Sequence, residues 1–459
     1  MARGNGGYRA ALRHRDFRLL MIRFVISGIG SWAYNVALIV FVYEQTQSAA
    51  WVGAITIGRF VPTLLISPYA GVVAERFERR SVILFSDLAA LTLMCGLAAI
   101  ALLDAPAGLA IVLAAMTSIV CIIDGPATAA LTPQIVGEDD LAAANALRNG
   151  IDNLVVIVGP SLGAGMLLFA DEATTFVLNA LTFAVAAMLN SLLTVRSEPT
   201  DVTEGGEAGV FQQMTVGLKA IKSSSTAAVL VAFSVLASFV YGTDTVLFAV
   251  IGESIGMGPD AFGYLLTGCG VGGVLAAGLI NRLSSMPRLG AIITIGMAVY
   301  CVPTAAIAFI DDPQIIFMLQ VARGAGTLVV DVLAITALQR MLAPDLVARV
   351  FGAFDALVLG AIALGAFVTP PLLRATGLNS TLLIVGLGVP AAVLAVWPWL
   401  ARMDRTALAR LAELAPRIRL LEALNIFSAA SRATLERLAA SATELDANSD
   451  TVVIREGDV

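Results

Sequence analysis

The sequence predicts an all-α membrane protein: twelve transmembrane helices in two six-helix halves, followed by a short C-terminal cytoplasmic α+β fragment. Three observations predict it. Of 459 residues, 58% are hydrophobic and only 14% charged, with a mean hydropathy of +0.88; an average soluble domain carries about 25% charged residues. The apolar material comes in blocks of roughly 20 residues, the length that crosses a bilayer core as a helix. Shifting the sequence by 207 residues lays the first six blocks on the last six without gaps. Continuous blocks exclude a membrane β-barrel, whose strands alternate in short segments.

Taken in order, the chain opens on a basic tail holding Arg3, Arg9, Arg13, Arg15 and Arg18. No small-residue cleavage site follows, so the tail is expected to stay on the chain. His14, the only histidine, is expected to be solvated there. The spans fall at 19–42, 50–73, 81–103, 107–131, 147–170, 173–195, 226–251, 261–283, 288–310, 313–338, 350–373 and 379–401. Charge placement orients them. The tail, the 74–80 loop, the central loop with Arg196, Lys219 and Lys222, the 282–288 loop and the segment after Arg402 are basic. The alternate loops carry Glu44, Asp104, Asp171, Glu172, Glu253, Asp260, Asp311 and Asp312. The positive-inside rule then predicts a multi-pass protein of the cell (inner) membrane with both termini cytoplasmic.

The repeat makes residues 1–195 and 223–401 equivalent halves. It matches Ser27 with Ser234, Ser31 with Ser238, Tyr34 with Tyr241, Gly71 with Gly278 and Asp124 with Asp331. The Tyr and Asp matches weigh most, the first type being rare here and the second costly in lipid; the Gly match is weighed with them. Parallel half-repeats with a site at their midplane interface are one transporter plan. Residues 196–222 join the halves: Ser197 to Gly209 reads as a flexible linker and Val210 to Lys222 as a surface helix.

Between spans 2 and 3 stand Gly71, then Glu75-Arg76, then Arg79-Arg80. This pattern resembles the signature loop of the major facilitator superfamily, with Glu75 where Asp is usual. The resemblance implies a cytoplasmic gate. Glu75 would meet the positive start of span 11, and Arg79 would bridge to Asp124 at the inner end of span 4. Span 5 carries Gly150, then Gly159-Pro160 and Gly163. It is similar to the superfamily's antiporter motif, with Ala164 replacing the last glycine. That motif is associated with exporters. Glycines at such spacing let helices pack closely. Arg59-Phe-Val-Pro62, Pro126, Pro133 and Leu141-Ala-Ala-Ala-Asn145 resemble the macrolide-efflux-like branch of drug:proton antiporters, over roughly residues 15–400.

After Arg402 the chain is amphipathic. Phe427-Ser428, a helix from Ser431 to Thr443 and Glu456-Gly457-Asp458 resemble the opening of a cyclic-nucleotide-binding domain, placing such a fragment at 402–459. Its phosphate-binding cassette would lie further on, so no cyclic-nucleotide binding is expected of this stretch.

Charges within lipid are costly and are functional candidates by default. Arg59 and Arg323 fall near mid-membrane, and Asp244 lies in the outer third of span 7. Asp87, Asp124, Asp152, Asp331 and Asp355 lie in the inner third and are expected to pair with loop arginines, with Asp152 or Asp355 also weighed as a proton carrier. Arg23 is expected to snorkel to the cytoplasm. The four cysteines, all inside apolar blocks, read as packing residues. Nothing reads as catalytic, and no metal cluster, cofactor site or nucleotide-binding loop is expected. The expected function is secondary, proton-coupled export of amphipathic small molecules across the bilayer, with no nucleic-acid partner. A lipid or lysolipid translocator and a membrane-anchored cyclic-nucleotide sensor are the alternatives.

Overall fold

The computed structural model describes residues 8–167, 170–195, 206–258, 260–284, 286, 288–342 and 344–424, with residues 435, 438, 439, 441 and 442. No strand occurs among them. The helices are α1 (Tyr8–Ala11), α2 (Arg15–Thr46), α3 (Ala49–Arg76), α4 (Arg79–Leu102), α5 (Ala107–Ile122), α6 (Asp124–Leu167), α7 (Glu172–Ser191), α8 (Gly206–Ser223), α9 (Ser225–Ser254), α10 (Asp260–Ser284), α11 (Leu289–Ile307), α12 (Pro313–Met341) and α13 (Pro344–Glu422).

Ten helical stretches among the described residues are long and apolar enough to cross a membrane. The difference from twelve has a local cause. Expected spans 11 and 12 lie in one apolar stretch, Arg349–Ala395, which turns at Gly377 (φ 76, ψ 173). Expected span 5 lies in α6 beyond a similar turn at Gly137 (φ 71, ψ 178), and part of it is outside the described residues. Both turns use the left-handed region, where glycine meets no Cβ penalty. Helix α8 begins at Gly206, inside the stretch expected to be a flexible linker. The expected cyclic-nucleotide-binding opening falls mostly outside the described residues.

Two helix starts among the described residues are capped by side chains from the acidic loops. Asp312 accepts from the amides of Gln314 (2.8 Å) and Ile315 (3.3 Å), with Pro313 in the first helical turn. Asp171 accepts from the Thr174 amide at 2.7 Å. Bonds from Thr174 hold the Asp171 carboxyl below the usual carboxylate range.

The packing differs at the two ends of the bundle. At the end holding Tyr43 and Glu253, one apolar core is shared by both halves: Val36, Ile39 and Val40 pack with Leu247, Phe248 and Phe262. Gly53 brings α3 against α13 there, since a Cβ would fall 2.7 Å from the Ala366 carbonyl oxygen. Tyr43 donates to Glu253 across the halves at 2.5 Å. At the end with the basic loops the cores are separate. Phe17, Leu20 and Ile83 belong to one, and Leu230, Phe233 and Val350 to the other. Gly71 and Gly352 each face open space at that end. The buried core is therefore shared by the halves at one end and divided between them at the other.

Candidate functional site

A cavity of about 210 Å³ lies between the halves. Trp32, Asn35 and Arg59 line it from α2 and α3; Tyr241, Asp244, Tyr300 and Asp331 line it from α9, α11 and α12. Phe60, Phe248 and Phe262 give it apolar walls. Apolar walls with a few placed polar groups are the usual make-up of a small-molecule site.

Arg323 and Asp244 form a locked pair. Arg323 Nη2 donates to Asp244 Oδ1 (2.7 Å) and Oδ2 (2.6 Å). Its Nε donates to the Tyr300 carbonyl at 3.0 Å and its Nη1 to Gln320 at 2.8 Å. The Tyr300 hydroxyl donates to Asp244 at 3.0 Å. The guanidinium lies 5.2 Å from the Tyr300 ring centre and is fully buried. Two charges of opposite sign, saturated with hydrogen bonds, can persist in a dry interior.

Arg59 is held differently. Its Nη2 donates to Asn35 Oδ1 at 2.5 Å, and its guanidinium carbon stands 5.6 Å from the Tyr34 ring centre and 5.5 Å from that of Phe60. Its Nε is buried with no acceptor, and no carboxylate among the described residues forms an ion pair with it. This leaves a cation with unused donors on the cavity wall.

The remaining expected sites are rearranged. Asp124 bonds to Arg23 (2.7 Å), not to Arg79, and Arg23 also bonds to Asp87 (2.6 Å). Arg23 does not snorkel; it is 3% exposed, because two carboxylates inside the half compete with the water it would reach. Arg80 donates to the Ser191 carbonyl at 2.8 Å, Arg76 is exposed, and the Glu75 side chain lies outside the described residues. Gly150 faces open space, while Gly159 and Gly163 pack α6 on α2. A Cβ at Gly163 would fall 2.7 Å from the Ala33 Cα, and one at Gly159 would meet Trp32, itself a cavity residue. Asp152 and Asp355 are exposed and are not among the cavity-lining residues. His14 is not simply solvated; it bonds to Asp140 at 3.1 Å. Cys95 is exposed and Cys269 lines the cavity.

Sequence reasoning missed Asp331 as a cavity residue. It was expected to pair with a loop arginine, yet it lines the cavity with no hydrogen bond or ion pair among the described residues. Asn35 and Tyr300 were missed too. Neither side chain is charged, so neither carries the cost in lipid that marks the arginines, and only those arginines give them away.

Residues 7–421 match the family model described as an MFS transmembrane secretion effector. The chain is 25% identical to the multidrug efflux pump Tap of Mycolicibacterium fortuitum, over 80% of this chain and 92% of that protein. It is 23% identical to the staphyloferrin A transporter of Staphylococcus aureus, over 56% of this chain and 64% of that protein, so it spans less than two thirds of that relative. It is 22% identical to macrolide efflux protein A of Streptococcus pyogenes, over 49% and 56% of the two chains. Among solved structures, a POT family transporter superposes with a TM-score of 0.68 at 12% identity, covering 85% of this chain and 96% of that one. The nucleoside transporter NupG does so with a TM-score of 0.64 at 13% identity, covering 83% and 99%. At such identities the structural likeness speaks for the fold alone.

Proposed function

The chain belongs to the MFS transmembrane secretion effector family, and on that premise we propose that it is a secondary, proton-coupled exporter of amphipathic small molecules. The observation that carries this reading is the cavity between the halves, with aromatic walls and an under-bonded arginine. Apolar walls suit the body of an amphipathic solute, and Arg59 suits its polar part. The efflux proteins among the relatives support the direction of transport.

In this reading the bundle has twelve spans, residues 1–195 and 223–401 are the moving halves, and the basic-loop end is cytoplasmic. The end with divided cores is then the inner one, and on this reading the conformation receives substrate from the cell. The gate residues Gly71, Arg76, Arg79 and Arg80 would close against α13 in the opposite state. Alternating access follows when the shared core around Val36 and Phe248 splits and the basic-loop ends meet.

Ethidium, as an amphipathic probe, tests it in inverted membrane vesicles. The expected outcome is uptake that starts with an imposed proton gradient and stops when a protonophore collapses it. Uptake indifferent to the gradient would remove proton coupling; none of any amphipathic probe would remove the exporter reading.

A further inference from the structure

The two halves share a plan, and one difference between them is chemical. The repeat carries Asp124 onto Asp331, Arg23 onto Leu230 and Asp87 onto Thr294. In the first half Arg23 clamps both acids, at 2.6 Å to Asp87 and 2.7 Å to Asp124. In the second half Leu230 stands at the cation's matching position. That side chain is 1% exposed and shares a core with Val330, Leu333 and Ala334, which flank Asp331 along α12. One acid is present without the matching arginine.

The other groups that face Asp331 do not replace that arginine. Helices α9, α10 and α11 pack on α12. Of their titratable side chains toward the cavity, Tyr241, Asp244, Cys269 and Tyr300 are neutral or acidic, and Cys301 is buried behind them. On α12 itself Arg323 stands two helical turns away, about 12 Å along the axis, and is consumed by Asp244, Gln320 and the Tyr300 carbonyl. Arg59 lies across the cavity on α3. No ion pair joins Asp331 to Arg59, Arg282 or Arg323 among the described residues.

From this asymmetry we propose that Asp331 is the group that takes up and releases the coupled proton, an assignment that rests on the exporter reading for its biological meaning. In the conformation described, Asp331 lines a cavity between the halves, whose cores are divided at the basic-loop end. When that end closes, an unpaired carboxylate loses its water. Burying a lone charge is far costlier than burying a neutral acid, so the group takes a proton. Opening on the other side returns it to water and lets the proton go. Asp124 is excluded from the role by its clamp.

The test uses the full chain in lipid nanodiscs. Infrared spectra between about pH 5 and about pH 9 follow the C=O stretch of a protonated carboxyl group. A titrating band should vanish in Asp331→Asn and persist in Asp152→Asn and Asp355→Asn. Asp331→Glu guards against misfolding of the amide variant and should move the band. A band unchanged in both Asp331 variants would overturn the assignment. In proteoliposomes with ethidium, a gradient of about one pH unit should support roughly a tenfold substrate ratio for one-to-one exchange, and Asp331→Asn should bring it to about one. A tenfold ratio retained in Asp331→Asn would also overturn it. If the wild type shows the band but concentrates no ethidium, the exporter reading fails while the proton site stands.

Discussion

A guanidinium has five N–H donors, and how many are used separates the two arginines of the cavity. Arg323 spends its donors on Asp244, Gln320 and a carbonyl, so it reads as structure. Removing one partner of a buried pair strands the other charge, at a cost of about 3–5 kcal/mol. Asp244→Ala should therefore lower the thermal unfolding temperature markedly in a detergent-solubilised melt. Arg59 has a single described acceptor, Asn35. Arg59→Gln should leave the melt nearly unchanged but weaken binding of an anionic amphipathic probe such as 8-anilinonaphthalene-1-sulfonate, read by quenching in a variant that keeps Trp32 as its one tryptophan. The sequence showed both arginines to be deep and costly, because depth follows from counting residues along a span. It did not show which was paired, because the acid that meets Arg323 is 79 residues away and helix rotation decides the meeting.

Helix packing sets the cavity wall. Gly159 and Gly163 let α6 lie on α2 behind Trp32. Gly163→Val would drive side-chain atoms into the Ala33 backbone, which cannot yield as a side-chain tip can. Overpacking of that kind costs about 1–3 kcal/mol. The expected outcome is a lower melting temperature together with loss of ethidium transport, whereas Gly71→Ala, with open space around it, should melt as wild type. Gly377 fixes the turn within α13 through its positive φ. Gly377→Ala should cost about 1–2 kcal/mol through the left-handed backbone alone, measurable in the same melt. The helices themselves were legible, since bilayer-length apolar runs and capping aspartates mark them in sequence. The partner of Asp124 in the conformation described was not. Loop spacing pointed to Arg79, whereas Arg23 of the same half holds it at 2.7 Å.

Across the whole molecule, the halves share a buried core at one end and keep separate cores at the other. In a variant lacking its native cysteines, Gly53→Cys with Ala366→Cys should cross-link readily, because those backbones touch. A pair at Gly71 and Gly352 should cross-link only when the opposite state is populated, for instance when Tyr43→Phe removes the bond to Glu253. Gel mobility after mild oxidation checks both. The two-half plan was visible as the 207-residue repeat, yet the repeat alone would have assigned Asp124 and Asp331 the same job. The difference lies at position 230, where a leucine carries no signal until its counterpart Arg23 is seen holding two acids. Helix α8 adds one more consequence. A Cβ at Gly217 would fall 2.1 Å from the Arg349 carbonyl, so α8 is seated directly on α13. The joining segment is thus divided in ownership, and its helix belongs to the second half. A gene severed between the codons for Val195 and Gly206 should yield two polypeptides that purify together and still transport. A break placed after Ser223 would instead leave α8 on the wrong piece, expose the groove on α13, and give halves that part company in detergent.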